Sequence, residues 1–425
     1  MDNIKDIYIK LRTDIYAAID AATIENLSKE QLEHQLSAAI DILVEQKKIH
    51  LPAITRSDFV QSISAELIGL GPLQTLMEDD TITDIMVNGP NKVFIERNGL
   101  IELSNIHFID EQQLQSIAKR IASGVGRRVD EANPLCDARL KDGSRVNIVL
   151  PVLSIDGTAI SIRKFREKSI RLTDLVGFGA MSEEMASVLM VAAHCRLNIL
   201  ISGSTGSGKT TLLNALTQYI SENERIITIE DAAELRLQQP HVIRLETRTA
   251  GIENTGAVDQ RQLVINSLRM RPDRVIIGEC RGGEAFEMLQ AMNTGHDGSM
   301  STLHANTPRD AVARVESMVM MSSSSLPIAA IRQMIVSATD LIIQVNRLHD
   351  GSRKVTSISE VVGLEGDKVV LDEIFCFRTD TQQQRDKVVG RFTTAGIMER
   401  SVLMKKARFF GLDKELKETF AKVGQ

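Results

Sequence analysis

The run Gly203-Ser204-Thr205-Gly206-Ser207-Gly208-Lys209-Thr210 fits the pattern G-x-x-x-x-G-K-[ST], a loop suited to holding phosphates. Each residue type has a physical reason to be there. Glycines let the backbone curl until several N–H groups point at one anion. The Lys209 ammonium can neutralise terminal phosphate oxygens, and the Thr210 hydroxyl, followed by Thr211, can ligate Mg²⁺. A helix starting at the end of the loop adds its partial positive charge. The surroundings agree: an apolar run, Asn198-Ile-Leu-Ile-Ser, precedes the loop, and Leu212, Ala215, Leu216, Tyr219 and Ile220 follow at helical spacing.

Such a loop needs an acid on a neighbouring strand, beside the metal and the attacking water. Arg271-Pro-Asp-Arg-Val-Ile-Ile-Gly-Glu279 supplies one. Glu279 could orient or deprotonate water and reach Mg²⁺ through water; the bland alternative is an acid that caps a helix starting near Gly282. Ile226-Ile-Thr-Ile-Glu230-Asp231 also ends an apolar run in acids, so Glu230 is a second candidate for water or metal contact, with a turn cap as the alternative. His296 and His304 flank a third apolar run. Either could sense a terminal phosphate as a neutral imidazole, and either could be structural. Arg127, Arg128, Arg139, Arg145 and Arg163 cluster upstream. They form a solvated or salt-bridged face, or some of them reach a phosphate as arginine fingers do.

The elements that must position these groups follow from periodicity. Ile4, Ile7, Leu11, Ile15, Ala18 and Ile19 recur at spacings of three and four, and Ser28 can cap a second helix running to Leu43. Gly69-Leu-Gly-Pro72 marks a break. Ile85-Met-Val, Val93-Phe-Ile-Glu and an Asn98-Gly99 turn predict a hairpin, followed by a helix from Glu111 to Val125 and two more short strands ending at Arg163. Five apolar runs then predict strands: 198 to 202, 225 to 230, 274 to 278, 300 to 304 and 341 to 345. Strands alternating with amphipathic helices imply an α/β unit, a mostly parallel sheet covered on both faces. The expected division is a helical region at 1–52, a mixed α/β domain at 53–172, a linker at 173–179, the phosphate-loop domain at 180–347, and a hairpin with a helical tail at 348–425.

Composition narrows the classes. Of 425 residues, 43% are hydrophobic and 25% charged, which suits a globular chain with cores to fill. The net charge of -6 disfavours a dedicated nucleic-acid binder, since phosphate contacts usually need a basic face. Few aromatic residues, 4% and no Trp, give little to stack bases on. Cys136, Cys195, Cys280 and Cys376 stand alone, without zinc-ligand spacing, and fit core positions in a reducing cytoplasm. The stretch from Met185 to Ile201 is broken by His194, Arg196 and Asn198, so no run approaches the roughly 20 apolar residues of a membrane span. Any membrane connection is expected to go through a partner.

Several segments resemble the type II/type IV secretion ATPase family, over about residues 65 to 375. They are Ile82-Thr-Asp-Ile-Met-Val-Asn-Gly, Gly126-Arg-Arg-Val-Asp-Glu, Asp137-Ala-Arg-Leu-Lys-Asp-Gly-Ser-Arg-Val-Asn, Leu197-Asn-Ile-Leu-Ile-Ser-Gly, Ile229-Glu-Asp-Ala-Ala-Glu-Leu, and the run from Met270-Arg-Pro-Asp-Arg to Thr307-Pro308. Within that family the sequence is most similar to the branch that powers tight-adherence (Flp-type) pili. The resemblance implies a RecA-like P-loop NTPase domain behind a mixed α/β N-terminal domain and a helical extension. It implies ATP with Mg²⁺, a homo-hexameric ring, and work on pilin subunits through an inner-membrane platform protein from the cytoplasmic side. It also maps a Walker A box onto Gly203 to Thr210, an acidic box onto Glu230 to Glu234, a Walker B box onto Val275 to Glu279 and a histidine box onto Gly295 to His304. N-domain arginines fall on Arg139, Arg145 and Arg163. The four-cysteine zinc module of the pilus-extension and general-secretion branches is missing, Cys280 replaces an aliphatic residue, and the amino-terminal extension is short. A DNA motor of the conjugation type and a scaffold ring with little hydrolysis are the competing expectations. Asn91-Lys92-Val-Phe lacks the aspartate of a guanine-reading motif, which disfavours a GTP switch.

Overall fold

The computed structural model describes residues 4–18, 27–49, 51–97, 99–165, 170–248, 256–322, 325–380 and 387–423. The chain divides into two compact units, Met1–Glu167 and Lys168–Gln425.

The first unit opens with three helices, α1 (Ile4–Ala18), α2 (Lys29–Gln46) and α3 (Ala53–Ile68). Ser28 caps α2 reciprocally with Gln31, as its position predicts, and the helix runs three residues beyond Leu43. Leu11, Ile15, Leu32, Leu36, Ile40 and Ile63 close their shared core. Glu66 of α3, 1% exposed, is answered by the Arg12 guanidinium of α1, its Nε at 2.7 Å. A buried carboxylate is costly without such a partner. The break at Gly69 is a helix end: its N–H bonds Ala65 O, and Gly71 then takes φ +59°.

Beyond a short helix, α4 (Gln74–Glu78), lie β1 (Ile82–Asn88), β2 (Val93–Arg97), β3 (Leu100–Leu103), α5 (Glu111–Gly124), β4 (Leu135–Arg139), β5 (Arg145–Val149) and β6 (Ala159–Arg163). They form an antiparallel sheet of order β3-β2-β1-β6-β5-β4. Three strands follow α5 where two were expected. The predicted hairpin is present as β1-β2-β3; Arg97 pairs with Leu100, Gly99 takes φ +82°, and Asn98 lies outside the described residues. Leu114, Ile117, Ala118 and Ile121 of α5 pack on the sheet.

In the second unit the elements run α6 (Leu172–Gly177), α7 (Glu183–His194), β7 (Ile199–Gly203), α8 (Lys209–Thr217), β8 (Ile226–Glu230), β9 (Val242–Glu246), α9 (Gln260–Ser267) and β10 (Arg274–Cys280). They continue with α10 (Glu284–Asn293), β11 (Met300–Leu303), α11 (Pro308–Ser322), α12 (Ile328–Ala338), β12 (Leu341–Arg347), β13 (Arg353–Glu365), β14 (Lys368–Thr379), β15 (Gly390–Thr394), α13 (Val402–Phe409) and α14 (Asp413–Val423). The nine-stranded sheet has the order β15-β14-β13-β12-β7-β11-β10-β8-β9. From β12 to β9 all neighbours are parallel, and β12 to β15 are antiparallel. The five strands expected here are β7, β8, β10, β11 and β12; β9 is additional. Alternate residues of each central strand enter opposite cores: Ile199 and Ile201 pack under α7, α8, α13 and α14, whereas Leu200 packs under α10, α11 and α12.

Two segments differ from expectation. Much of the stretch expected as a linker is helical, because the Asp174 carboxylate accepts the Arg171 N–H at 2.8 Å and Leu172 is buried in the core of the second unit. The segment 348–425 extends the same sheet, and its helices bury Leu403, Met404, Ala407 and Leu416 in the same core. Cys136, Cys195, Cys280 and Cys376 are free and buried. No helix among the described residues is long and apolar enough to cross a membrane.

Candidate phosphate-binding and hydrolytic site

Parallel strands bring their carboxyl ends to one edge, where α/β sheets place ligands. Gly203, Glu230 and Glu279 lie at the ends of β7, β8 and β10, and His304 follows β11 directly.

Gly203 pairs with Val345 on β12, and a Cβ at Gly203 would stand 2.2 Å from Val345 O, so no larger residue fits. Gly206 (φ +70°) and Gly208 (φ +101°) hold left-handed conformations that turn the loop into α8. Ser204, Thr205 and Gly206 are exposed, whereas Ser207 is buried with its hydroxyl unpartnered among the described residues. Lys209, Thr210 and Thr211 form the first turn of α8. Lys209 is 8% exposed, and its Nζ donates to Gly203 O and Ser204 O, each at 3.1 Å. An ammonium folded onto loop carbonyls, left-handed glycines and an unpartnered buried hydroxyl fit a phosphate ligand and its cation.

Around Lys209 the structure gathers two more of the sequence candidates. His304 Nδ1 is 3.5 Å from Lys209 Nζ, and His304 Nε2 is 2.6 Å from Glu279 Oε1, close but without hydrogen-bond alignment. Burial and then the Lys209 charge lower the His304 pKa, so the imidazole is neutral at neutral pH. Its Nδ1 faces the Lys209 ammonium, a donor, so the neutral ring carries its proton on Nε2. Glu279 Oε2 accepts from Arg281 Nη2 at 2.8 Å, and Arg281 Nη1 reaches Asp231 Oδ2 at 3.2 Å. The helix-cap alternative for Glu279 falls to another residue, since Glu284 Oε1 accepts the Arg281 and Gly282 N–H groups.

Glu230 behaves differently. Its Oε2 caps the turn after β8, accepting Glu234 N–H at 2.7 Å and Leu235 N–H at 2.9 Å, and its Oε1 is buried and unpartnered among the described residues. Burial outweighs those two N–H bonds and raises its pKa to about 7. Gly278 on β10 makes room for it, as a Cβ there would meet Glu230 Cγ at 2.8 Å. His296 turns to Ala291 O at 3.2 Å, at the end of α10.

In the first unit, Arg139 pairs with Arg145 and Arg145 with Arg163, so the three arginines fall in one row across β4, β5 and β6. Arg145 and Arg163 also line an open hollow of about 320 Å³ with Asp84, Asp137, Asn147 and Ser161. Arg128 is paired with Asp130. Three site residues were not singled out from sequence: Arg281, Gln344, and Arg353, whose Nε bonds Gly206 O at 2.8 Å. Arg281 stands two residues after Glu279, which is a signal; the other two reach the site only through pairing of distant strands.

Comparison with known proteins follows the same lines. Residues 66–406 match the family model described as type II/IV secretion system protein. A putative conjugal transfer protein of Mycobacterium tuberculosis is 37% identical over 310 residues, covering 72% of this chain and 88% of that one. The type IV secretion system protein VirB11 of Bartonella henselae is 33% identical over 340 residues, covering 70% of this chain and 93% of that one. Among solved structures, the ATPase DotB of Yersinia pseudotuberculosis superimposes with a TM-score of 0.50 at 18% identity, over 68% of this chain and 78% of that one, a likeness of fold. The chain belongs to the type II/IV secretion system protein family, as one of its P-loop ATPases.

Proposed function

We propose that this ATPase is a ring-forming motor that couples ATP hydrolysis to assembly of a tight-adherence pilus. The observation that carries the motor reading is the meeting of Lys209, His304 and Glu279 at the carboxyl edge of the sheet. The loop N–H groups from Gly203 to Thr211 and the Lys209 ammonium bind the β- and γ-phosphates. Thr210 and Glu279 would hold Mg²⁺, which would neutralise phosphate charge. Glu279 orients the attacking water and accepts its proton. Neutral His304 places an N–H beside that carboxylate, and Glu230 supports the strand carrying Glu279. Arg139, Arg145 and Arg163 answer phosphate charge, as the family resemblance implies.

The ring is a homo-hexamer at the cytoplasmic face of the inner membrane. Its partner is a platform protein, and through it pilin subunits; zinc has no part. Family membership supports this assembly, and the sequence segments shared with the tight-adherence branch support the pilus. A second reading, a conjugation-type motor that moves DNA, is favoured by the name of the mycobacterial relative. Stimulation of ATP turnover by DNA would select it.

Glu279→Gln tests the hydrolytic assignment. ATP affinity should stay near the parent's while turnover falls about 10²- to 10⁴-fold, the usual loss of a positioned base. Turnover at the parent's level would remove Glu279 from the mechanism.

A further inference from the structure

Gln344 of β12 is 2% exposed and sits opposite Ser202 of β7, the residue just before Gly203. The fully buried Ser202 hydroxyl donates to Gln344 Oε1. At the other end of the amide, Nε2 donates to Ala305 O at 3.2 Å, Asn306 O at 3.0 Å and Asn346 Oδ1 at 2.8 Å. Ala305 and Asn306 directly follow His304, and they leave β11, the strand on the far side of β7. One side chain therefore spans three strands beside the phosphate loop. It ties the strand that feeds Lys209 to the segment that displays His304. A buried amide is costly unless hydrogen-bonded, and this one is bonded at both ends.

We propose that Gln344 is a positioning residue for hydrolysis, holding the His304 segment in register with the phosphate loop. The inference rests on the hydrolytic reading of His304 and Glu279. With Nε2 of His304 at 2.6 Å from Glu279 Oε1 and Nδ1 at 3.5 Å from Lys209 Nζ, a small drift of residues 304–306 would break both contacts. The phosphate grip itself comes from loop N–H groups and Lys209, which Gln344 does not touch. Loss of Gln344 should therefore slow turnover and leave nucleotide binding intact.

The test is a double-mutant cycle in the full chain, reading kcat, KM and affinity for a fluorescent ATP analogue with Mg²⁺. Gln344→Met keeps the length and removes the hydrogen bonds. It should lower kcat about 10-fold, since small misplacements of catalytic groups carry large rate losses, with KM and affinity within about twofold of the parent. His304→Ala should also be slow, and the double variant should be no slower than His304→Ala alone, because coupled residues are not additive. Losses that multiply in the double variant would overturn the proposal, as would parent-like kcat in Gln344→Met beside a slow His304→Ala. Parent-like kcat in His304→Ala would overturn the hydrolytic reading and the proposal together. Should Gln344→Met not fold, Ser202→Ala enters the same cycle with the same expectations.

Discussion

His304 stands between an ammonium and a carboxylate, and its own charge decides what it can offer either. Kept neutral by burial and by Lys209, it presents a lone pair to the ammonium and holds its proton on the nitrogen beside the carboxylate. Glu230 shows how strongly the same edge of the sheet resists charge. Its carboxyl rises from 4.5 to about 7, so the folded protein keeps a proton there that the unfolded chain releases. Stability from this group is highest at low pH and is lost as pH rises from 4.5 through about 7. Glu230→Gln keeps an oxygen to accept the Glu234 and Leu235 N–H groups and cannot ionise. It should gain stability over the parent above about pH 7 and little near about pH 5, measured by urea unfolding. An equal difference at both values would contradict the raised pKa. Lys209 and Glu279 were legible from local pattern, because spacing within one loop or strand end sets where they fall. Local pattern did not separate His296 from His304, the one chosen, since both flank β11; the folded sheet turns the first to Ala291 O and the second to Lys209.

β10 carries the acid to the site at one end and a buried ion pair at the other. Arg274, fully buried, bonds Glu224 at 2.7 and 2.9 Å and the Ala193 carbonyl at 2.7 Å. Gly298, at φ +86°, is required beside it, for a Cβ there would meet Arg274 Nη1 at 2.6 Å. Glu224→Ala would leave that guanidinium buried without its counter-charge. The expected loss is about 3–5 kcal/mol in urea unfolding, the range for a broken buried pair; a loss under about 1 kcal/mol would show the pair to be dispensable. The central strands were readable because each is a short apolar run buried on both faces. α3 was not, since Ile54 and Ile68 are exposed while Glu66 is buried, which blurs its apolar stripe. β9 was not, because it is an edge strand with an exposed arginine, Arg244.

At the scale of the molecule, the second unit is one sheet from β15 to β9, and the carboxyl-terminal hairpin and helices complete its core. The sequence alternation foretold the parallel half. It also foretold a hairpin after residue 348, present as β13 and β14, but not that β13 folds back on β12 across a short turn, Arg347 beside Arg353, to join the same sheet. The proposed ring gives a direct expectation: native mass measurement with ATP and Mg²⁺ should find a species about six times the 47.0 kDa of one chain. A single-chain mass under all nucleotide conditions would contradict the ring.

The claim beneath all of these is that backbone N–H groups and the Lys209 ammonium hold a nucleotide triphosphate at the end of β7. Titration of a fluorescent ATP analogue with Mg²⁺ into the parent and into Lys209→Ala tests it most directly. Saturable binding by the parent, weakened at least about tenfold in the variant, is the predicted result, since a buried charge-assisted contact contributes more than 1.4 kcal/mol. No binding by the parent, or equal binding by both, would contradict it.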